Sequence, residues 1–273
     1  MPEPLDYRYL SRSAGFLAKM KVTITGAGAE TVLLGNGFGT DQRVWTSLLP
    51  WLERRYRTVR FDWAVDPVHF DAARYARLES FAEDLLAIAA AIRATPCTLI
   101  AHSMSAMIGV LAAEREPTAF RRVVMIAAAP RYIVDDDYPG GFTAAEVDTL
   151  LERMGEDYLA WAEAFSRVVV GPDHDLALVD DFRRSVCAMR PDVALSMAQT
   201  LFQMDLRDRL AGYATPTTLV QPTADPVVPV AVGEYLARQW PQARLEIIDA
   251  SGHLPHLTAP QSVIAALEGA LPD

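Results

Sequence analysis

The sequence predicts an α/β fold with a mostly parallel central sheet, crossover helices and an inserted four-helix lid. Three observations predict it. Short β-type runs alternate with helical patterns through the first half of the chain and again near its end, as in a parallel sheet with crossovers. Between about Tyr132 and Leu210 the β-type runs stop and only helical periodicity remains. A serine, an aspartate and a histidine each follow a strand-like run, where open α/β sheets place their sites.

Taken in order, Lys21 to Thr25, Thr31 to Leu34 and Arg57 to Phe61 read as strands. A helix from about Leu78 to Ala94 leads to a strand from Cys97 to Ala101. His102 to Ser105 form a tight turn into a helix over Ala106 to Glu114, whose small and apolar residues suit packing on a sheet. Arg122 to Ala127 is the next strand. Four helical segments follow, near Ala144 to Met154, Asp157 to Val168, Leu176 to Met189 and Pro191 to Phe202. Pro172 and Pro191 fall at their seams, where proline opens a helix and ends the one before it. Alternation resumes with a strand at Thr217 to Val220, a helix at Val230 to Gln239, a strand at Leu245 to Ile248 and a helix at Ser262 to Leu271. The organisation is an N-terminal extension over 1–17, a core from 18–131 and 211–273, and a lid over 132–210.

Composition narrows the function classes. The 273 residues are 51% apolar, enough for one sizeable core, and the formal net charge is −10 with no clustered Lys/Arg stripe. That excludes an electrostatic footprint for nucleic acid or an anionic membrane. Cys97 and Cys187 form no CxxC or CxxH spacing, so neither a disulfide framework nor a zinc site is expected, and a cytoplasmic setting fits. Met1 to Met20 carries charges without a continuous apolar stretch and does not read as a secretory signal. The densest apolar run, Leu85 to Ile92, is too short to span a bilayer.

The chemistry centres on Ala101, His102, Ser103, Met104 and Ser105, a variant of the GxSxG elbow between a strand and a helix. A nucleophile at the apex of so sharp a turn brings backbone and flanking side chains close together, so its neighbours must be small. Asp225 follows the strand that begins at Thr217, and Gly252 permits the turn that presents His253 after the strand that begins at Leu245. The order Ser, Asp, His is the one the α/β-hydrolase fold uses. Ser103 is then the nucleophile, His253 its general base and Asp225 the group that orients the imidazole. Asp249 and the run Asp135 to Asp137 are rival acids.

An oxyanion hole takes its donors from the residue after the nucleophile and from a loop after an early strand, here the amides of Met104 and Phe38. Gly35, Gly37 and Gly39 around Phe38 let that backbone turn. The same glycines lack the GK[ST] and GxGxxG spacings of phosphate loops, so no nucleotide cofactor is expected. His102 reads as packing under the elbow at the pocket floor rather than acting in catalysis. His256 reads as a surface or loop-packing residue rather than a metal ligand, and His69 and His174 as loop residues.

Five segments resemble the RsbQ-like α/β-hydrolases, which include bacterial stress-response regulators and plant karrikin and strigolactone receptors. They are GFGTDQRVW from Gly37, HSMSAMIGVLA from His102, PRYIVDDDYPGGF from Pro130, MRPDVALSMAQTLFQMD from Met189 and SGHLPH from Ser251. The resemblance implies the same triad and oxyanion-hole positions, a V-shaped four-helix lid, and pocket aromatics at Phe142, Trp161, Phe165 and Phe202. Spacing alone puts Trp161 and Phe165 on one helix face. The chain departs from that pattern at Asn36, where many relatives carry histidine. It departs again at Ala101, which replaces the elbow's first glycine, and in Trp63 to Phe70, which lacks the usual glycine-rich loop.

The expected activity is hydrolysis of small, largely apolar esters or butenolide-type lactones through an acyl-enzyme, without metal or cofactor. As the resemblance implies, the alternative is a ligand-sensing regulator with slow turnover that acts through a protein partner such as a PAS-domain phosphatase. Carbon–carbon bond hydrolysis or perhydrolysis would use the same triad. Dehalogenation is disfavoured because position 103 is serine.

Overall fold

The computed structural model describes residues 15–63 and 70–271. Within them the chain forms a seven-stranded sheet: β1 (Thr23–Thr25), β2 (Thr31–Gly35), β3 (Arg57–Arg60), β4 (Cys97–His102), β5 (Phe120–Ile126), β6 (Thr217–Ala224) and β7 (Arg244–Ser251). The spatial order is β1-β3-β2-β4-β5-β6-β7, with β1 antiparallel to β3 and every other pair parallel. β4 is central, and all six of its residues are buried, which is why Cys97 to Ala101 reads as mainly apolar rather than as an apolar/charged alternation.

Two long helices flank the middle of the sheet, α1 (Leu78–Ala91) and α2 (Met104–Arg115). Four more lie between β5 and β6: α3 (Ala144–Glu156), α4 (Tyr158–Val170), α5 (Leu176–Cys187) and α6 (Pro191–Phe202). Their starts are written locally. Thr143 and Glu146 form a reciprocal capping box, Asp157 and Asp175 cap α4 and α5 through their carboxylates, and Pro191 occupies the first turn of α6. α7 (Val230–Gln239) and α8 (Pro260–Ala270) complete the fold.

The two strands that carry the acid and the base run further than their sequence patterns indicate. β6 continues through Pro222 to Ala224 because a register shift between Pro222 and Ala224 absorbs the proline. β7 continues to Ser251, pairing with Ala224. The described end of the N-terminal extension is packed, with Phe16 buried in the one-turn helix Phe16–Lys19. Of the atypical stretch Trp63 to Phe70, the positions 64–69, His69 among them, lie outside the described residues.

Candidate active site

β4 ends at His102 and α2 begins at Met104, leaving Ser103 alone to turn the chain, with φ 51° and ψ −115°. A non-glycine residue there is strained, and it persists because its surroundings hold it. Its amide donates to the Ile126 carbonyl at 2.9 Å. Space around the turn is as tight as the sequence requires. A Cβ on Gly37 would lie 2.3 Å from Nδ1 of His102 and 3.4 Å from the Ser103 Cβ. Ala101, in place of glycine, pairs across the sheet with Gly35, which has no side chain to meet its methyl.

Asp225 leaves β6 with Oδ1 accepting from the amides of Val227 and Val228 at 2.8 and 3.0 Å. Its Oδ2 accepts from Nδ1–H of His253 at 2.8 Å. Three donors therefore face this carboxylate and fix its orientation. Nε2 of His253 is thereby left as an acceptor, 2.9 Å from the Ser103 Oγ that donates to it. Gly252, with φ 83°, makes the turn before His253, and a Cβ there would sit 2.1 Å from the Val170 carbonyl. The rival acids lie elsewhere: Asp249 is exposed, and Asp135 faces Arg131 and Arg207 on the surface.

The loop after β2 is anchored through Asn36. Its side chain donates to the Phe61 carbonyl and accepts from the Trp45 indole, both at 2.7 Å, while its own carbonyl accepts from Trp63 and from the Ser105 hydroxyl. The departures Asn36 and Trp63 thus partner one another. Ser105 ties the elbow to the loop that carries Phe38. Met104, as the first residue of α2, has an N–H with no intrahelical acceptor.

Above Ser103 is a cavity of about 20 Å³, roughly one water. Phe38, His102, Phe165 and Phe202 line it, as do Tyr132 and Phe182, which were not singled out from the sequence. Phe142 and Trp161 instead line an outer apolar groove of about 420 Å³ between α3 and α4. Phe165 and Val227 border both spaces. Tyr132 belongs to the PRYIVDDDYPGGF segment, whose matching order was a usable signal. Phe182 carried none, because helical spacing gives it the same appearance as any buried residue of α5.

His256 is fully buried, not at the surface, with its ring stacked 4.5 Å from Trp45 and tilted against the His102 ring at 4.6 Å. Burial, with His253 nearby, lowers its pKa to about 3. Burial likewise holds His102 well below the ordinary histidine value, so it stays neutral, and its Nε2–H donates to the His253 carbonyl at 2.7 Å. His174 bridges from the lid to Ser251. Among the described residues no three His, Cys, Asp or Glu side chains converge as a metal-ligand set, and no helix is long and apolar enough to cross a membrane.

Similarity to known proteins agrees with this geometry. Residues 32–267 match the alpha/beta hydrolase family. The chain is 42% identical over 251 residues to the Karrikin insensitive 2 receptor IA of Petunia hybrida, covering 90% of this chain and 92% of the relative. It is 37% identical over 261 residues to a strigolactone esterase of Arabidopsis thaliana, covering 94% and 97%. Among solved structures, a hydrolase from Oleispira antarctica superposes with a TM-score of 0.90 at 31% identity, covering 93% of this chain and 94% of that one. A seven-stranded sheet, a serine on a strained strand-to-helix turn and relatives of this similarity and coverage together mean that the chain belongs to the α/β hydrolase family.

Proposed function

We propose that the protein is a serine hydrolase of small, largely apolar esters or butenolide-type lactones, acting through an acyl-enzyme on Ser103. The observation that carries this reading is the unbroken relay from Asp225 through His253 to Ser103, 2.8 and 2.9 Å long, beneath an apolar cavity. As Ser103 attacks the carbonyl carbon, His253 takes its proton and then returns it to the leaving oxygen. Asp225 holds the tautomer that makes this exchange work, and the amides of Phe38 and Met104 receive the oxyanion. Water then repeats the sequence on the acyl-enzyme. A cavity of about 20 Å³ is too small for an ester, so a substrate must part the lid, and the outer groove leading to Phe165 offers an apolar approach.

Short-chain nitrophenyl esters test the reading. The Ser103→Ala variant should lose at least ~100-fold in rate, and an unchanged rate would remove the proposal.

A second reading, favoured by the receptor names of the relatives, is that slow turnover serves ligand sensing and that the lid then engages a protein partner. The lid touches the base directly, since the Val169 carbonyl at the end of α4 accepts from the His253 amide at 2.7 Å. Ligand-dependent capture of a PAS-domain phosphatase would support this second reading, and its absence across ligands that the enzyme hydrolyses would count against it.

A further inference from the structure

Ser103 Oγ has a second neighbour besides His253: the Tyr132 hydroxyl, 3.2 Å away. A serine hydroxyl holds one proton, and here Nε2 of His253 accepts it. Tyr132 must therefore be the donor in its own contact with Oγ. Its ring is 1% exposed and lies 5.2 Å from the Phe202 ring, and burial pushes the phenol up to about 12, so it keeps its proton. The backbone is held as well. Its carbonyl accepts from the amides of Gly141 and Phe142, and just before it Arg131 pairs with Asp205 while the Leu206 amide donates to the Pro130 carbonyl.

We infer that Tyr132 is a further catalytic residue, donating a hydrogen bond to Ser103 Oγ that speeds breakdown of the acyl-enzyme. The inference rests on the acyl-enzyme reading above. An ester oxygen is a poor acceptor, so in the acyl-enzyme the Tyr132 bond is weak. When water has added and the carbon–Oγ bond breaks, Oγ gains negative charge, takes its proton from His253 and accepts more strongly from Tyr132, which keeps its own proton throughout. A bond that strengthens between ground and transition state accelerates that step. In the free enzyme Oγ is already a good acceptor, so acylation gains little. At 3.2 Å the resting contact is long for O–H···O and shortens as charge builds.

The test is a split between kcat and kcat/KM on a short-chain nitrophenyl ester. For Tyr132→Phe, kcat should fall about 10- to 100-fold, while kcat/KM, which reports acylation, stays within about 3-fold. The acyl adduct on Ser103 should accumulate and be seen by mass spectrometry. A ring-fluorinated tyrosine at 132, a stronger donor, should match or exceed the wild-type kcat. Equal losses in kcat and kcat/KM, or an unchanged kcat with no adduct, would overturn the inference and leave Ser103 acylation standing. Wild-type protein that never acylates Ser103 would overturn both.

Discussion

Around Ser103 the sheet contributes polar groups with assigned partners, whereas the lid contributes mainly rings. On the core side Asp225 has three donors, His253 uses both ring nitrogens, and the Asn36 side chain uses both its ends. On the lid side Phe165 stacks 4.7 Å from Trp161 and stands edge-on, 6.3 Å from Phe38. Hydrogen bonds are directional and fix atoms to tenths of an ångström; apolar contacts fill space and let surfaces part and rejoin. Under the proposed function the two regions would divide the work, the core holding the geometry of proton transfer and the lid selecting what reaches it. Close to Ser103 their polar contacts include Val169 with His253, His174 with Ser251, and Tyr132 with Ser103.

The strongest way to break the core side while sparing the lid is Asp225→Asn. Its side-chain oxygen can still accept from Val227 and Val228, but its amide would then face Nδ1 of His253 and force the wrong tautomer. Steady-state assays should show kcat down by about 10⁴-fold, with thermal stability little altered. On the lid side Phe165→Ala removes a ring from both the cavity and the groove. It should raise KM for short esters about 10-fold, change kcat less, and admit bulkier acyl chains. A kcat loss as large as that of Asp225→Asn would show that the lid, too, sets proton-transfer geometry.

Two smaller effects sharpen the contrast in stability. Folded His256 takes up a proton only near about 3, and His102 is likewise held low, whereas the unfolded chain takes them near 6.5. The unfolded state thus binds more protons in that window, so this stability is complete above 6.5 and is lost as pH falls. Denaturant titrations should show it shrinking by up to about 1.4 kcal/mol per pH unit for each histidine, and His256→Phe should flatten the slope. At the lid's base Arg131 and Arg207 bind Asp205 and Asp135 in a partly exposed network. Arg131→Ala should cost under about 1 kcal/mol and raise hydrogen exchange in the lid more than in the sheet.

Much of this was legible in the residues themselves. Ser103, Asp225 and His253 stood out because each follows a strand and each turn carries the small residue it needs. The lid helices declared themselves by their period and their prolines. Other features did not. His256 read as a surface or loop-packing residue because nothing local tells that Trp45 and His102, far apart in the chain, close around its ring. The split of the expected pocket aromatics, with Phe142 and Trp161 outside and Phe202 inside, depends on how α3, α4 and α6 cross, and periodicity specifies a buried face without naming what it meets.

By itself the sequence determined the order of strands and helices, the tight turns and which residues stand at the strand ends, because backbone sterics and hydrophobic period act over a few residues. Tertiary packing alone decided that the cavity is small, that Tyr132 reaches the Ser103 hydroxyl and that two histidines stay neutral. Those properties arise from distances between segments far apart in the numbering, 154 positions for His102 and His256, and from water being excluded between them, which no local pattern encodes.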